Sequence, residues 1–425
     1  MLPPGPRYPM PLQTLGWIAR PGPFLERCRD RYGDAFTLRI ANEGTWVMLS
    51  DPAAVKQVFT GDPELLHAGE ANAILRPVLG PSSVLLLDDD AHLAQRKLLL
   101  PPFHGARMKA YGELMEQVAD AEIATWPAGQ VVAARSAMQR ITLEIVIRAV
   151  FGVGAGAEHE RLRAALESLL RWITQPTQVA LLTLLGAGNV HRLPEYRRVM
   201  REFDAVIHDG IARRRTAGDL AERDDILSML MLATHEDGSP MSDAELRDEL
   251  VTLLIAGHET TATALAWALE RLARHPDAWA RLRSGDEPYL DAVIKETLRL
   301  RPVLPIVLRR VKAPMEIGGW DLPAGVSVAP CIYLMHRRAD VYPDPRAFRP
   351  ERFLERPAGT YTWIPFGGGI RRCLGASFAQ FEMAAVLRVL ARRCERLEPD
   401  ALVPERVTRR SITLVPERDG AVLVG

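Results

Sequence analysis

The sequence predicts a mainly α fold with small β-sheets. Three observations carry that reading. Apolar residues at helical spacing dominate from about residue 105 to 300. One helix inside that region runs for about 30 residues, where about 11–12 is usual. Short alternating segments lie towards the two ends of the chain.

In the N-terminal part, "DAFTLRI" and "TWVMLS" alternate as a hairpin does. "SDPAAVKQVF" then opens a helix, with Asp51 as its cap and Pro52 in its first turn. The long helix starts at "MSDAELRDEL", where Ser242 and Glu245 have capping-box spacing, and His275-Pro276 gives its stop. Between them Leu250, Leu253, Leu254, Gly257, Thr261, Ala264 and Leu265 recur at helical spacing, which predicts a helix crossing the middle of the protein. "MEIGGWDLPAGVSVAP" reads as a strand pair, and "VTRRSITLVPERDGAVLVG" as a closing hairpin turning at Asp419-Gly420. No composition break divides the chain, so residues 1–425 are expected to form one domain.

Lysine plus arginine equals aspartate plus glutamate, 53 each. No global charge therefore points to nucleic acid or an anionic membrane. The four cysteines, Cys28, Cys331, Cys373 and Cys394, form no CxxC pair, which argues against a zinc site and a disulfide scaffold and for a reducing compartment. "MLPPGPRYPM" lacks the apolar core of a signal peptide. The longest apolar stretch, "VALLTLLGAG", is about half of a membrane span. A soluble cytoplasmic protein is expected.

Four constellations carry chemistry. In "AGHETT", Gly257 removes bulk three residues before Thr260, and Glu259 adds a carboxylate. The notch they form suits proton delivery to a buried centre, or equally a tight helix crossing. In "KETLRL", Glu296 and Arg299 meet three apart. Arg352, in "PDPRAFRPERF", is placed to add a second guanidinium, making a structural clamp on an irregular loop; a surface ion pair is the plainer alternative. In "DDDAHLAQRKLL", His92 and Arg96 share a helical face and suit an anionic ligand, or simply line a polar stripe. In "FGGGIRRCLG", three glycines allow close backbone approach, and Cys373 sits just before a helix beside Arg371 and Arg372, where a thiolate is favoured. That thiolate would serve as a metal ligand or a nucleophile; a buried structural thiol is the third possibility. A cysteine hydrolase would need a histidine within reach, and none lies near Cys373 in the chain.

Together these motifs resemble the cytochrome P450 family, the haem-thiolate monooxygenases, over nearly the whole length and in the family's order. HxxxR appears as His92 and Arg96. AGxET(T) appears as Ala256, Gly257, Glu259, Thr260 and Thr261. ExxR appears as Glu296 and Arg299, and PERF as Pro350, Glu351, Arg352 and Phe353. FGxGxRxCxG appears as Phe366, Gly367, Gly369, Arg371, Cys373 and Gly375. The resemblance implies one domain, a triangular prism of helices with small sheets around haem b.

It implies further that Cys373 is the axial ligand of the iron, with Phe366 packed near its sulfur. His92, Arg96, Arg371 and one of Arg309 and Arg310 would bind propionates. Arg309 is preferred, seven residues before the "EIGG" turn. Ala256 and Gly257 would border the haem, and Glu259 and Thr260 would relay protons beside bound dioxygen. Glu296, Arg299 and Arg352 would be structural. Leu253, Leu254 and Ala256, with Val303, Ile306 and Val307 of "VLPIVL", would line an apolar pocket, covered by Leu65 to Leu87 and by "TQPTQVALLTLLG". The substrate would be a lipophilic small molecule: a terpenoid, steroid, fatty acid or polyketide-like compound. Electrons from NAD(P)H would arrive through a separate ferredoxin or flavodoxin and its reductase, docking on a basic patch of Arg371, Arg372 and "RVLARRCER". The alternatives are a haem sensor or carrier that oxidises nothing, disfavoured by the intact Glu259–Thr260 pair, and a peroxygenase driven by hydrogen peroxide, whose members usually lack that pair.

Overall fold

A computed structural model describes residues 1–103, 107–175 and 187–425. The chain divides into two compact units. One comprises Met1–Leu66, Gly112–Ile141 and Thr260–Gly425; the other comprises His67–Tyr111 and Thr142–Glu259.

The first unit holds the sheets. Ala35–Ile40 and Gly44–Leu49 form the expected antiparallel hairpin, with Phe36 opposite Met48. Their alternating apolar residues bury Phe36, Leu38, Ile40, Trp46 and Met48 in one cluster. Gly44–Leu49 then pairs parallel with Ser327–Pro330, which pairs antiparallel with Arg309–Val311. The helix Pro52–Thr60 starts where expected, the Asp51 side chain accepting the Ala54 N–H at 2.9 Å. Met315–Ile317 and Trp320–Leu322 form the second strand pair.

The C-terminal hairpin departs from the expectation. Val407–Arg410 pairs with Thr413–Pro416, so the hairpin turns at Ser411–Ile412 and not at Asp419-Gly420. Asp419 and Gly420 do adopt left-handed φ values of 61° and 62°, but the strand after them, Val422–Val424, pairs with Gln130–Val132 and Leu397–Pro399. The cause is a tether that sequence spacing does not reveal. The Asp419 carbonyl accepts the Arg135 N–H at 2.9 Å, and its carboxylate takes Arg135 Nε at 2.8 Å together with the Ser136 hydroxyl. The turn therefore redirects the chain towards another sheet.

The second unit is helical, built on Asp89–Leu99, Ala157–Thr174, Pro194–Thr216 and the first part of the long helix. A buried Arg214 ties three segments, donating to the Phe151 carbonyl, the Asp225 carboxylate and the Ser228 hydroxyl.

The long helix spans Asp243–Ala273, 31 residues. Its capping box is formed: the Ser242 N–H reaches Glu245 Oε2 at 2.8 Å, and the Glu245 N–H reaches Ser242 Oγ at 3.2 Å. The boundary between the units falls inside this helix, between Glu259 and Thr260. Among the described residues no helix is long and apolar enough to cross a membrane.

Candidate functional site

The glycine-rich loop is held in one conformation by its own backbone. The Cys373 N–H donates to the Phe366 carbonyl at 3.0 Å, Gly367 N–H to Ile364, and Arg372 N–H to Gly369. Gly367 and Gly369 have φ of 68° and 65°, where a side chain is strained. The close approach is to Phe59: a Cβ on Gly368 would strike its ring, and one on Gly369 its carbonyl oxygen. The loop leads directly into the helix Ala376–Arg393, capped at Gly375. Cys373 is exposed, whereas Cys28, Cys331 and Cys394 are buried. Burial pushes the Cys28 thiol up to about 11 and the Cys331 thiol up to about 12, and raises Cys394 as well. Those three are protonated and inert; Cys373 is the thiol placed to meet a ligand.

The long helix opens on one stripe. Ala256 is exposed, and Leu253, Gly257 and Thr260 are half-buried at i, i+3, i+4 and i+7 spacing around it, with Glu259 alongside, also half-buried. Leu254, expected to line the same pocket, is 1% exposed and packs in the core instead. From Thr261 onwards the helix is buried on every side.

Of the apolar wall, Ile306 and Val307 are half-buried, while Val303 is buried and its carbonyl accepts the Leu414 N–H at 2.7 Å. Val307 Cγ1 lies 3.8 Å from where a Cβ on Gly367 would stand. His92 is buried and Arg96 half-buried on one face of Asp89–Leu99. Strand alternation separates Arg309 from Arg310. Arg309 is buried, and Arg310 turns outward to the Gly325 carbonyl, which favours Arg309 as the inward cation. Arg371 lies half-buried in the single turn Gly369–Arg371. The stretch "TQPTQVALLTLLG" lies outside the described residues from 176 to 186.

The Glu296 clamp is closed. Glu296 and Arg299 are both 0% exposed and bonded through two oxygens at 2.7 and 2.8 Å. Glu296 also accepts Arg352 Nε at 3.2 Å and the Arg349 N–H at 2.8 Å. Arg299 spends its remaining donors on the carbonyls of His336, Pro345 and Ala347, at 2.8, 2.8 and 3.0 Å. An irregular proline-rich segment is thereby fastened to a regular helix, Glu287–Leu300.

The family model for cytochrome P450 matches residues 3–423. The chain belongs to the cytochrome P450 family. It is 45% identical to cytochrome P450 135B1 of Mycobacterium tuberculosis over 437 residues, covering 100% of this chain and 91% of that one. Cytochrome P450 137 of the same species is 41% identical over 392 residues, 91% of this chain and 82% of the relative. Among solved structures it resembles the cytochrome P450DA heme domain (TM-score 0.85, 24% identity, 100% and 97% covered) and the retinoic acid-bound cyanobacterial CYP120A1 (TM-score 0.84, 23% identity, 100% and 99% covered). The P450 is thus a haem-thiolate monooxygenase of the P450 fold, an oxidoreductase that uses haem and dioxygen.

Two buried groups of this P450 carry no motif and escaped the sequence reading. Glu382, nine residues after Cys373, is buried in the helix Ala376–Arg393 with the Thr261 hydroxyl as its partner. Burial raises its carboxyl well above the ordinary range, beside the Thr260–Thr261 turn. His336 is fully buried, and its Nε2 accepts the Ile364 N–H at 2.9 Å, which puts the ring proton on Nδ1. Burial and the neighbouring Arg299 hold it neutral, and it fixes the approach to Phe366. A charged-looking helix also proves quieter than expected. Arg388 is paired with Glu287 at 2.7 Å, Arg392 with Glu116 at 3.0 Å, and Arg393 with Asp120. These pairs neutralise most of the basic patch expected to dock a redox partner, leaving the exposed Arg372 beside Cys373.

Proposed function

We propose that Cys373 would supply the thiolate that holds haem in a P450 that hydroxylates a C–H bond, or oxidises a C=C bond, of a lipophilic small molecule. The observation that carries this is the loop itself: the exposed thiol stands on a glycine cradle whose pressed backbone a Cβ would fill. That donor set fits haem. When bound, haem supplies dioxygen activation, which thiolate donation promotes.

Every other role falls to the chain. Phe366 and Gly367 would shield the sulfur, and Gly375 caps the helix that follows. His92, Arg96, Arg309 and Arg371 would offer charge-assisted hydrogen bonds to the carboxylates of bound haem. Ala256 and Gly257 leave room on the open stripe of the long helix, and Thr260 and Glu259 pass protons towards the reacting oxygen. Leu253 and Ala256 on the long helix, and Ile306 and Val307 in "VLPIVL", are the open or half-buried apolar residues that a lipophilic substrate would meet, whereas Val303 and Leu254 are buried. Residues 1–425 act as one catalytic domain. The protein is cytoplasmic and receives electrons, ultimately from NAD(P)H, through a ferredoxin or flavodoxin and its reductase.

The test is a titration of the holoprotein with terpenoids, steroids, fatty acids and polyketide-like compounds, read in the haem absorption spectrum and followed by turnover. A spectral shift with at least one lipophilic class is expected, with product formed faster through surrogate redox partners than with hydrogen peroxide. Spectral silence throughout, or faster peroxide-driven turnover, contradicts the reading.

A further inference from the structure

The helical unit contains a buried acid that no motif of the family accounts for. Glu249 is 0% exposed on the long helix, seven residues and so two turns before Ala256 on the same face. Its Oε1 accepts the Val84 N–H at 2.7 Å. Gln95, itself buried on the Asp89–Leu99 helix between His92 and Leu99, lies against the same carboxyl. Among the described residues neither Glu249 Oε2 nor Gln95 Nε2 makes a well-formed hydrogen bond, although the Gln95 amide is near enough to favour the charged carboxylate.

Glu249 is the centre of a larger fastening. In the loop of residues 80–88, which precedes the Asp89–Leu99 helix, the three consecutive residues Ser82, Ser83 and Val84 are bound to one stretch of the long helix. The Ser82 N–H donates to Asp248 Oδ2 at 2.8 Å, and the Ser83 hydroxyl meets that of Thr252 at 2.7 Å. Thr252 already donates its own proton to the Asp248 carbonyl at 2.7 Å, so Ser83 is the donor in that pair. Gly80 makes the approach possible: its φ is 85°, and a Cβ there would collide with the Asp248 carboxylate. Arg247 closes the end of the loop, donating to the Leu79 carbonyl at 3.1 Å and to Asp248 and Asp204.

We propose that Glu249 is a positioning residue that clasps residues 82–84 and the Asp89–Leu99 helix to the long helix, and so sets the wall beside the open Leu253–Ala256–Gly257 stripe. This rests on the stripe being part of the substrate pocket. The clasp holds while the carboxyl is neutral. Burial is the main force keeping it so, aided by Asp248 and Glu245 on its own helix; the Val84 amide and Gln95 oppose it, and together these push it up to about 8. The Gln95 amide brings no charge to the site. Once ionised, the carboxylate is a buried charge with no cation against it among the described residues, and its cost falls only if water enters and residues 82–84 open.

The sign follows from linkage. Unfolded, Glu249 loses its proton near its ordinary value of 4.5; folded, it keeps it to about 8. Stability therefore falls as pH rises from about 4.5 to about 8 and levels off beyond.

The experiment uses holoprotein of the wild type, Glu249→Gln and Glu249→Leu between pH 6.5 and 9.5. It reads amide hydrogen-exchange protection of residues 82–84 and the dissociation constant of a lipophilic ligand that shifts the haem spectrum. In the wild type both are expected to worsen about tenfold between pH 6.5 and about 8 and to level off above it, the equivalent of roughly 1.4 kcal/mol for one unsatisfied buried group. Glu249→Gln, isosteric and always neutral, keeps the acid-side values at every pH. Glu249→Leu, unable to accept from Val84, is weak at every pH. An alkaline transition that persists in Glu249→Gln, or wild-type protection that ignores pH, overturns the proposal. An altered haem spectrum at pH 6.5 in the wild type would instead count against the monooxygenase reading.

Discussion

Replacing Glu296 with alanine is expected to cost about 3–5 kcal/mol of stability, the usual penalty for removing one partner of a buried ion pair. The reason is arithmetic of charge. Arg299 is fully buried and Arg352 nearly so, and Glu296 is the carboxylate that both share. Without it two guanidinium groups remain in the interior, and the Arg349 N–H loses its acceptor. The donors of Arg299 to His336, Pro345 and Ala347 would still be made, but from an uncompensated cation. With a native stability of about 5–15 kcal/mol, such a loss removes a large part of what holds the fold. Little folded holoprotein should be recovered, and what is recovered should unfold at a much lower urea midpoint. Arg299→Lys is a second probe: it keeps the charge, but one ammonium cannot reach the two carboxylate oxygens and three carbonyls that the planar fork serves. A Glu296→Ala protein with the wild-type midpoint would show that the clamp is not structural.

Thr260→Ala is expected to leave folding intact and damage chemistry. Thr260 is half-buried at the last open position of the long helix, just before the helix becomes buried all round. Removing one hydroxyl there opens little space, so stability should change by less than about 1 kcal/mol. Proton delivery by a positioned group is worth about 10²–10⁴-fold, and the Thr260 hydroxyl is the group proposed to do it. Product formed per NAD(P)H consumed should therefore fall at least about tenfold, while reductant consumption continues and appears as peroxide or water. Glu382→Gln provides a comparison, because its side chain lies against Thr261, one residue further on. Full coupling of reductant to product in Thr260→Ala would remove Thr260 from the relay.

Features that depend on near neighbours in the chain were legible in the sequence. Asp51, the Ser242–Glu245 box and the glycine loop act across three to seven residues, and each forms as its spacing implies. Features that depend on distant partners were not. The Asp419-Gly420 turn has the dihedrals its residues favour, yet Arg135 and Ser136, far back in the chain, decide where the following strand goes. The arginines of Ala376–Arg393 read as a basic face until acids from two other helices neutralise them. Leu253 and Leu254 look alike in a helix that is apolar on most sides, so periodicity alone could not say which of them faces the open stripe. Glu249, Glu382 and His336 have no pattern around them; burial gives each its chemistry, and burial is a property of the packed molecule.

The most direct test of the central assignment is the carbon monoxide difference spectrum of reduced holoprotein, wild type against Cys373→Ala. A thiolate-type band in the wild type, lost in Cys373→Ala, is the predicted result. An unaltered thiolate-type band in Cys373→Ala would contradict it.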